Sequence, residues 1–191
     1  ASIPNAKLQV YFIDNEDYFH RKSVFVDADN KFHADNDERA IFFCKGVLET
    51  VRKLGWAPDI VHCNDWMTSL IPLYLKTRYK QDPVFKDAKS VFTVHNNPIK
   101  FKFGKDLLSK VKMLDIEDKM LTNLNTGDYE GFIKIGMEYA DAVIRTESDY
   151  TDSISKLFAE TGKNKKVELL AATDETLDEE KYYNFYNELV G

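Results

Sequence analysis

Three short apolar runs, each ending in polar side chains and each followed by residues at helical spacing, constrain this chain most. They are Asp59–Cys63 (DIVHC), Ser90–His95 (SVFTVH) and Ala142–Arg145 (AVIR). Runs this short and this apolar suit strands buried on both faces, as happens where crossover helices cover a parallel sheet. The intervening segments supply such helices. Ala40, Phe43, Val47, Leu48, Val51 and Leu54 recur at three and four, with Asp35 and Asn36 ahead and Gly55 and Pro58 behind. A helix over about Thr68–Tyr79 follows the first run, and Pro72 falls in its opening turns, where a missing N–H is tolerated. Helical pieces are expected within Gly104–Leu124, a turn at Asn125–Asp128 and a helix at Phe132–Ala140. Beyond the third run, Ser148 or Asp149 caps a helix reaching about Thr161.

Two more strands are expected at Leu8–Ile13 (LQVYFI) and Val167–Ala171, and a tyrosine-rich terminal helix at Asp178–Leu189 is expected to pack on its own sheet. Asn15–Asn36 is polar, aromatic and irregular, and a loop so long inside a compact domain is usually functional or mobile. The fold class is therefore α/β, a doubly wound, mainly parallel sheet in a single domain.

Composition removes several classes of function. The 191 residues carry a formal charge of -6, so counterion release on nucleic acid contributes little, and no basic stripe offsets that. Lys163, Lys165 and Lys166 precede an acidic stretch and read as a solvated turn. No apolar run approaches the ~20 residues of a membrane span, and the N-terminus lacks the features of a secretory signal. Cys44 and Cys63 sit among apolar residues at no metal-ligand spacing, which implies buried free thiols and a reducing cytoplasm. Glycine-rich phosphate loops, nucleophile elbows and zinc signatures are missing, so neither metal nor cofactor is implied.

In open parallel sheets, ligands bind beyond the carboxyl ends of the strands. Two such ends carry polar clusters, His62-Cys63-Asn64-Asp65-Trp66 and Thr93-Val94-His95-Asn96-Asn97. Each residue also has an ordinary reading. Asp65 could cap the following helix, His62 could be a satisfied core histidine, and Trp66 suits packing better than stacking on a ligand. Asn96 and Asn97 could be turn chemistry before Pro98. His95 is harder to dismiss, because an imidazole at a strand end needs polar partners. The spacing points to a polar-ligand site and names no reaction.

These strand ends are also where a family resemblance begins. Pro58-Asp59-Ile60-Val61-His62-Cys63-Asn64-Asp65-Trp66-Met67-Thr68, then Leu70-Ile71-Pro72-Leu73-Tyr74-Leu75-Lys76, resembles a segment of glycogen and starch synthases. Ser90 to Asn96 is similar to their V-F-T-I-H-N strand, Arg39 to Glu49 to the preceding helix, and Ile133 to Val143 to a K-G-x-x-Y-A-D-x-V segment. The match spans about Leu8 to Thr161; residues 162–191 read as an extension. It implies a Rossmann-like half of a GT-B glycosyltransferase, incomplete at its N-terminus. The reaction implied is retaining transfer of glucose from a nucleotide sugar, ADP-glucose in most bacterial members, to an α-1,4-glucan. Carried over by position, Asp65 and His95 are the catalytic candidates beside the glucosyl and phosphate groups. Asn64, Trp66 and Asn96 are the substrate-binding ones.

Departures accompany the match. Met67 stands where His or Gln is usual, Asn97 to Phe101 replaces a segment ending in Tyr-Gln-Gly, and Arg145-Thr146-Glu147-Ser148 replaces Thr-Val-Ser-Pro. The family's opening lysine-glycine-glycine loop and its second, nucleotide-holding half have no counterpart here. The expectation is a fragment or short member that needs a second domain or partner chain. The alternative is a non-catalytic half-transferase that binds glucan or a partner protein.

Overall fold

The computed structural model describes residues 8–96, 99–112, 115–145, 150–161, 166–168 and 179–191. Strands β1 (Ile60–Asn64), β2 (Lys89–Val94), β3 (Ala142–Arg145) and β4 (Lys166–Glu168) form one parallel sheet in sequential order. Register pairs Ile60 with Lys89, Val91 with Ala142 and Val143 with Lys166. Seven α-helices are described: α1 (Glu16–Phe19), α2 (Asn36–Leu54), α3 (Leu70–Lys76), α4 (Leu107–Val111), α5 (Tyr129–Tyr139), α6 (Asp152–Glu160) and α7 (Glu179–Val190). Two 3₁₀ segments, Trp66–Thr68 and Asp118–Thr126, precede α3 and α5.

Alternation along the strands divides the core. Phe92, Val94 and Val143 face the large cluster shared with α2, α3, α5 and α6. Val91, Ala142 and Ile144 face the other way, against Tyr182, Phe185, Tyr186 and Leu189 of α7. Those four positions form one stripe of that helix, so the terminal helix does cover its own sheet. The parallel sheet with helices on both faces is the expected class of fold.

Local chemistry explains the boundaries. Gly55 ends α2 in the left-handed region (φ 65°), its N–H donating to the Arg52 carbonyl. The helix expected from Phe132 starts at Tyr129, because the Asp128 carboxylate accepts from Gly131 N at 3.0 Å and caps it. Thr151 caps α6; Ser148 and Asp149, expected in that role, lie outside the described residues, as does most of Val167–Ala171. The helix expected to reach Tyr79 stops at Lys76 and continues as turns.

One expected strand fails. Leu8–Ile13 carries only an isolated bridge residue, Gln9, while Leu8, Tyr11 and Phe12 are exposed. Ile13 instead packs on α2, its Cγ2 only 3.2 Å from where a Gly46 Cβ would lie. The run is apolar enough for a strand, but only its last residue is shown packed on the helix while three others face solvent.

Gly136 decides how closely α5 approaches the sheet. A Cβ there would meet the Phe92 ring at 2.7–2.9 Å. Alanine favours helix by about 1 kcal/mol over glycine. Overpacking a closed core costs about 1–3 kcal/mol, and Phe92 is fully buried, so the clash prevails. Gly136→Ala is expected to lower the urea midpoint despite the gain in helix propensity.

His62 links the sheet to α7. Its Nδ1 lies 2.6 Å from the Tyr186 hydroxyl and its Nε2 2.6 Å from Thr93 Oγ1. Burial, and then the neighbouring His95, push its pKa below the ordinary histidine value. The unfolded chain therefore binds this proton more readily than the folded one, so stability rises with pH. The contribution is present above the unfolded value of about 6.5 and is lost as pH falls below it. Between pH 7 and pH 5 the urea midpoint of the native chain is expected to fall more than that of His62→Gln.

Candidate functional site

The carboxyl ends of β1 and β2 lie side by side. Asn64 pairs with Thr93, and Asp65 N–H donates to the Thr93 carbonyl at 3.0 Å, carrying the ladder one residue past the strand. His95 Nε2 lies 3.3 Å from Asn64 Oδ1, on an exposed rim.

Asp65 departs from ordinary backbone geometry. Its φ of 57° and ψ of -176° fall in a region that is essentially glycine's own, at a cost of about 1–3 kcal/mol for other residues. Its carbonyl accepts from Thr68 N and Thr68 Oγ1, each at 3.1 Å. The carboxylate makes no capping bond to the 3₁₀ turn that follows. Oδ1 instead accepts from the Tyr129 hydroxyl at 2.9 Å, and that hydroxyl also lies 3.0 Å from the His95 carbonyl. A residue needed only for the turn would be glycine at no cost, so the side chain is what the position retains.

Tyr129 was not singled out in the sequence. It is the first residue of α5, 4% exposed, and it is placed by the Asp128 cap and by Gly127 at φ 64°. An aromatic directly after a capping aspartate was the available signal. Nothing local connects it to Asp65, 64 positions earlier. The third strand end adds Arg145, whose guanidinium lies over the rings of Tyr150 (5.1 Å) and Phe158 (5.9 Å). The Tyr150 hydroxyl donates to the Val94 carbonyl at 2.7 Å.

The structure brings Asn64, Asp65 and His95 together. Asn96 follows His95, half-buried, at the same exit, while Asn97 and Pro98 lie outside the described residues. Trp66 is corrected. It is 1% exposed beneath Phe25, Phe32, Phe101, Phe103 and Phe132, with ring centroids 5.0–6.3 Å away. An indole enclosed by five rings has no face for a sugar, and here it is a packing residue. Its Nε1–H meets no hydrogen-bond partner among the described residues.

Beyond the exits lies a cleft of about 660 Å³ lined by Phe101, Tyr129, Lys100, Lys102, Thr151 and Ser153. Ring and aliphatic surface makes up most of its wall, and the hydroxyls, the two lysines and the carboxylates of Asp128 and Glu130 around it leave no single sign of charge, an arrangement that can hold a neutral polyhydroxylated ligand. Cys44 and Cys63 are buried and free, and burial pushes the Cys44 thiol up to about 12, so neither acts as a nucleophile. Among the described residues no group of three His, Cys, Asp or Glu side chains is arranged to hold a metal, and no helix is long and apolar enough to cross a membrane.

Relief of the Asp65 strain and loss of its phenol hydrogen bond are of similar size, about 1–3 kcal/mol each. Asp65→Gly is therefore expected to change unfolding stability by less than about 1 kcal/mol in urea titrations. A loss of several kcal/mol would show that the backbone there is not strained.

Known proteins show the same arrangement of segments. Residues 1–168 match the family profile described as the starch synthase catalytic domain. A glycogen synthase of Chlorobium limicola is 40% identical over 159 residues, covering 81% of this chain and 31% of that protein. The glycogen synthase of Desulforudis audaxviator is 38% identical over 148 residues, covering 76% and 28%. The catalytic domain of starch synthase IV from Arabidopsis thaliana, bound to ADP and acarbose, superposes with a TM-score of 0.59 at 20% identity. That superposition covers 82% of this chain and 33% of the plant one, and it shows the fold alone. The chain thus spans about a third of the length of these relatives. With the family profile matched over most of its residues, the chain belongs to the starch synthase catalytic domain family.

Proposed function

We propose that this chain forms the acceptor-side half of a glucan synthase, which transfers glucose from a nucleotide sugar to an α-1,4-glucan with retention. ADP-glucose is the donor that the family resemblance implies, and the similar plant starch synthase IV domain was bound to ADP. One observation carries the reading: in a chain of this family, a strained aspartate and a histidine meet at adjacent strand exits, bridged by one phenol. Strain kept at a polar strand exit is characteristic of functional sites. In such a transfer most of the acceleration comes from positioning and from stabilising charge as it develops. His95 is assigned a hydrogen bond to the sugar or to the departing diphosphate, and Asp65 a place beside the glucosyl unit. Asn64 and Asn96 support them. The adjoining cleft, with Lys100, Lys102, Thr151 and Ser153, is assigned to the glucan chain. A second domain or a partner chain completes the donor site and closes it against water. The two buried free thiols favour a cytoplasmic setting.

A second reading draws on the departures from the family pattern at Met67, Asn97 and Arg145: this half holds glucan or a partner protein without turning over. Incubation with ADP-[14C]glucose and glycogen of this chain joined to the remaining part of the Chlorobium limicola glycogen synthase separates the two. Label is expected in glycogen and should fall roughly 100-fold or more in His95→Ala. Glucan binding without label in either protein would favour the non-catalytic reading.

A further inference from the structure

Asn36 and Arg39 lie one turn apart on α2, both buried, and their contact fixes which way the Asn36 amide points. Arg39 Nη1 donates to Asn36 Oδ1, and a guanidinium cannot accept, so the amide oxygen must face it. Asn36 Nδ2 is thereby turned to the Phe25 carbonyl, 2.8 Å away. The same carbonyl accepts from His33 N–H at 3.0 Å, closing the stretch from Phe25 to His33 beside the Val26–Phe32 bridge. Arg39 also donates to the Tyr18 carbonyl at 2.8 Å and the Val24 carbonyl at 2.5 Å, so the chain entering that stretch is held as well.

The closed stretch carries Phe32, whose ring stacks on Phe101 at 4.8 Å, within 11° of parallel. Phe101 in turn forms part of the cleft wall. All three acceptors on Arg39 are uncharged. A cation buried among neutral acceptors is a costly anchor, and a fixed fork of donors is what it supplies in return. We propose that Arg39 is a positioning residue for the acceptor cleft: through the Asn36 amide it sets the Phe25–His33 stretch, and with it the Phe32 ring that backs Phe101. The functional meaning of that role rests on the assignment of the cleft to glucan made above. The role itself does not require Arg39 to touch a ligand.

Nuclear magnetic resonance tests it without a ligand. Cross-relaxation between the ring protons of Phe32 and Phe101 is expected to be strong in the native chain. It should fall severalfold in Arg39→Lys, which keeps the charge and loses the fork. The edge-on contact of Tyr79 with Phe85 should persist and report an intact core. If Arg39→Lys does not fold, Asn36→Asp takes its place, since it keeps an oxygen for Arg39 and removes only the donor to Phe25. Undiminished Phe32–Phe101 cross-relaxation in the folded variant overturns the proposal. Calorimetry with maltoheptaose supplies the second arm. Arg39→Lys and Phe32→Leu are each expected to weaken binding about three- to tenfold, the worth of one aromatic pair. The double variant should bind no more weakly than Phe32→Leu alone, because both changes act on one ring. Losses that multiply, or binding weakened by Phe101→Ala but untouched by Arg39→Lys, overturn the proposal. If Phe101→Ala leaves binding unchanged, the assignment of the cleft to glucan fails, and the cross-relaxation still decides what Arg39 does.

Discussion

Everything at the rim depends on the parallel register between β1 and β2. It pairs Asn64 with Thr93 and so sets Asp65 against the Thr93 carbonyl, one step past the last strand residue. Burial on both faces enforces it. A slip of one residue would turn Phe92 and Val94 toward α7 and set Val91 and Thr93 against the large helical layer, exchanging shapes that fit neither side. Gly136 sharpens the constraint by letting α5 rest directly on Phe92, and the amino end of the same helix delivers Tyr129 to the two exits. Register, helix approach and site geometry are thus one packing solution.

How much of this was legible in the sequence follows from what kind of signal each part carries. Strands buried on both faces leave continuous apolar runs, so DIVHC, SVFTVH and AVIR could be read directly. Leu8–Ile13 carries the same signal but only Ile13 is set against α2, because an apolar run does not specify which surface, if any, will cover it. Asn64, Asp65 and His95 were legible from the rule that ligands meet parallel sheets at their carboxyl ends. Tyr129 was not, since its partner is defined only once α5 is folded onto the sheet. Packing was already the better reading of Trp66, but the rings that enclose it were hidden. Two of its covering rings, Phe25 and Phe32, come from a loop with no periodicity to read.

Two adjacent residues bear costs that a purely structural turn would avoid. Asp65 holds glycine-like dihedrals, and Trp66 buries an indole N–H that meets no partner among the described residues. Each is worth about 1–3 kcal/mol against the fold. His62, three positions before Asp65, shows the opposite pattern, with both ring nitrogens engaged in an unstrained strand. Chemistry in the sequence made His62, Asp65 and Trp66 look comparable. Energetics separates them: His62 serves the fold and Trp66 packs it, while the strain at Asp65 falls where natural sequences tend to break local rules, at sites of function.

The irregular segment before α2 is part of the same construction. Arg39, 3% exposed, donates to the carbonyls of Tyr18 at 2.8 Å and Val24 at 2.5 Å and to the Asn36 side chain, and Asn36 Nδ2 donates to the Phe25 carbonyl at 2.8 Å. One rigid guanidinium therefore reinforces the few backbone bonds this segment makes within itself, such as His33 N–H to the Phe25 carbonyl at 3.0 Å. The restraint extends outward, because Phe32 stacks on Phe101 at 4.8 Å, within 11° of parallel, and Phe101 lines the cleft. A buried cation on α2 is in this way coupled, through two stacked rings, to the wall of the cleft beyond Asp65 and His95. A segment anchored by fixed donors and packed aromatics can thus shape a ligand surface with little more regular structure than the single turn of α1 and the isolated bridge between Val26 and Phe32.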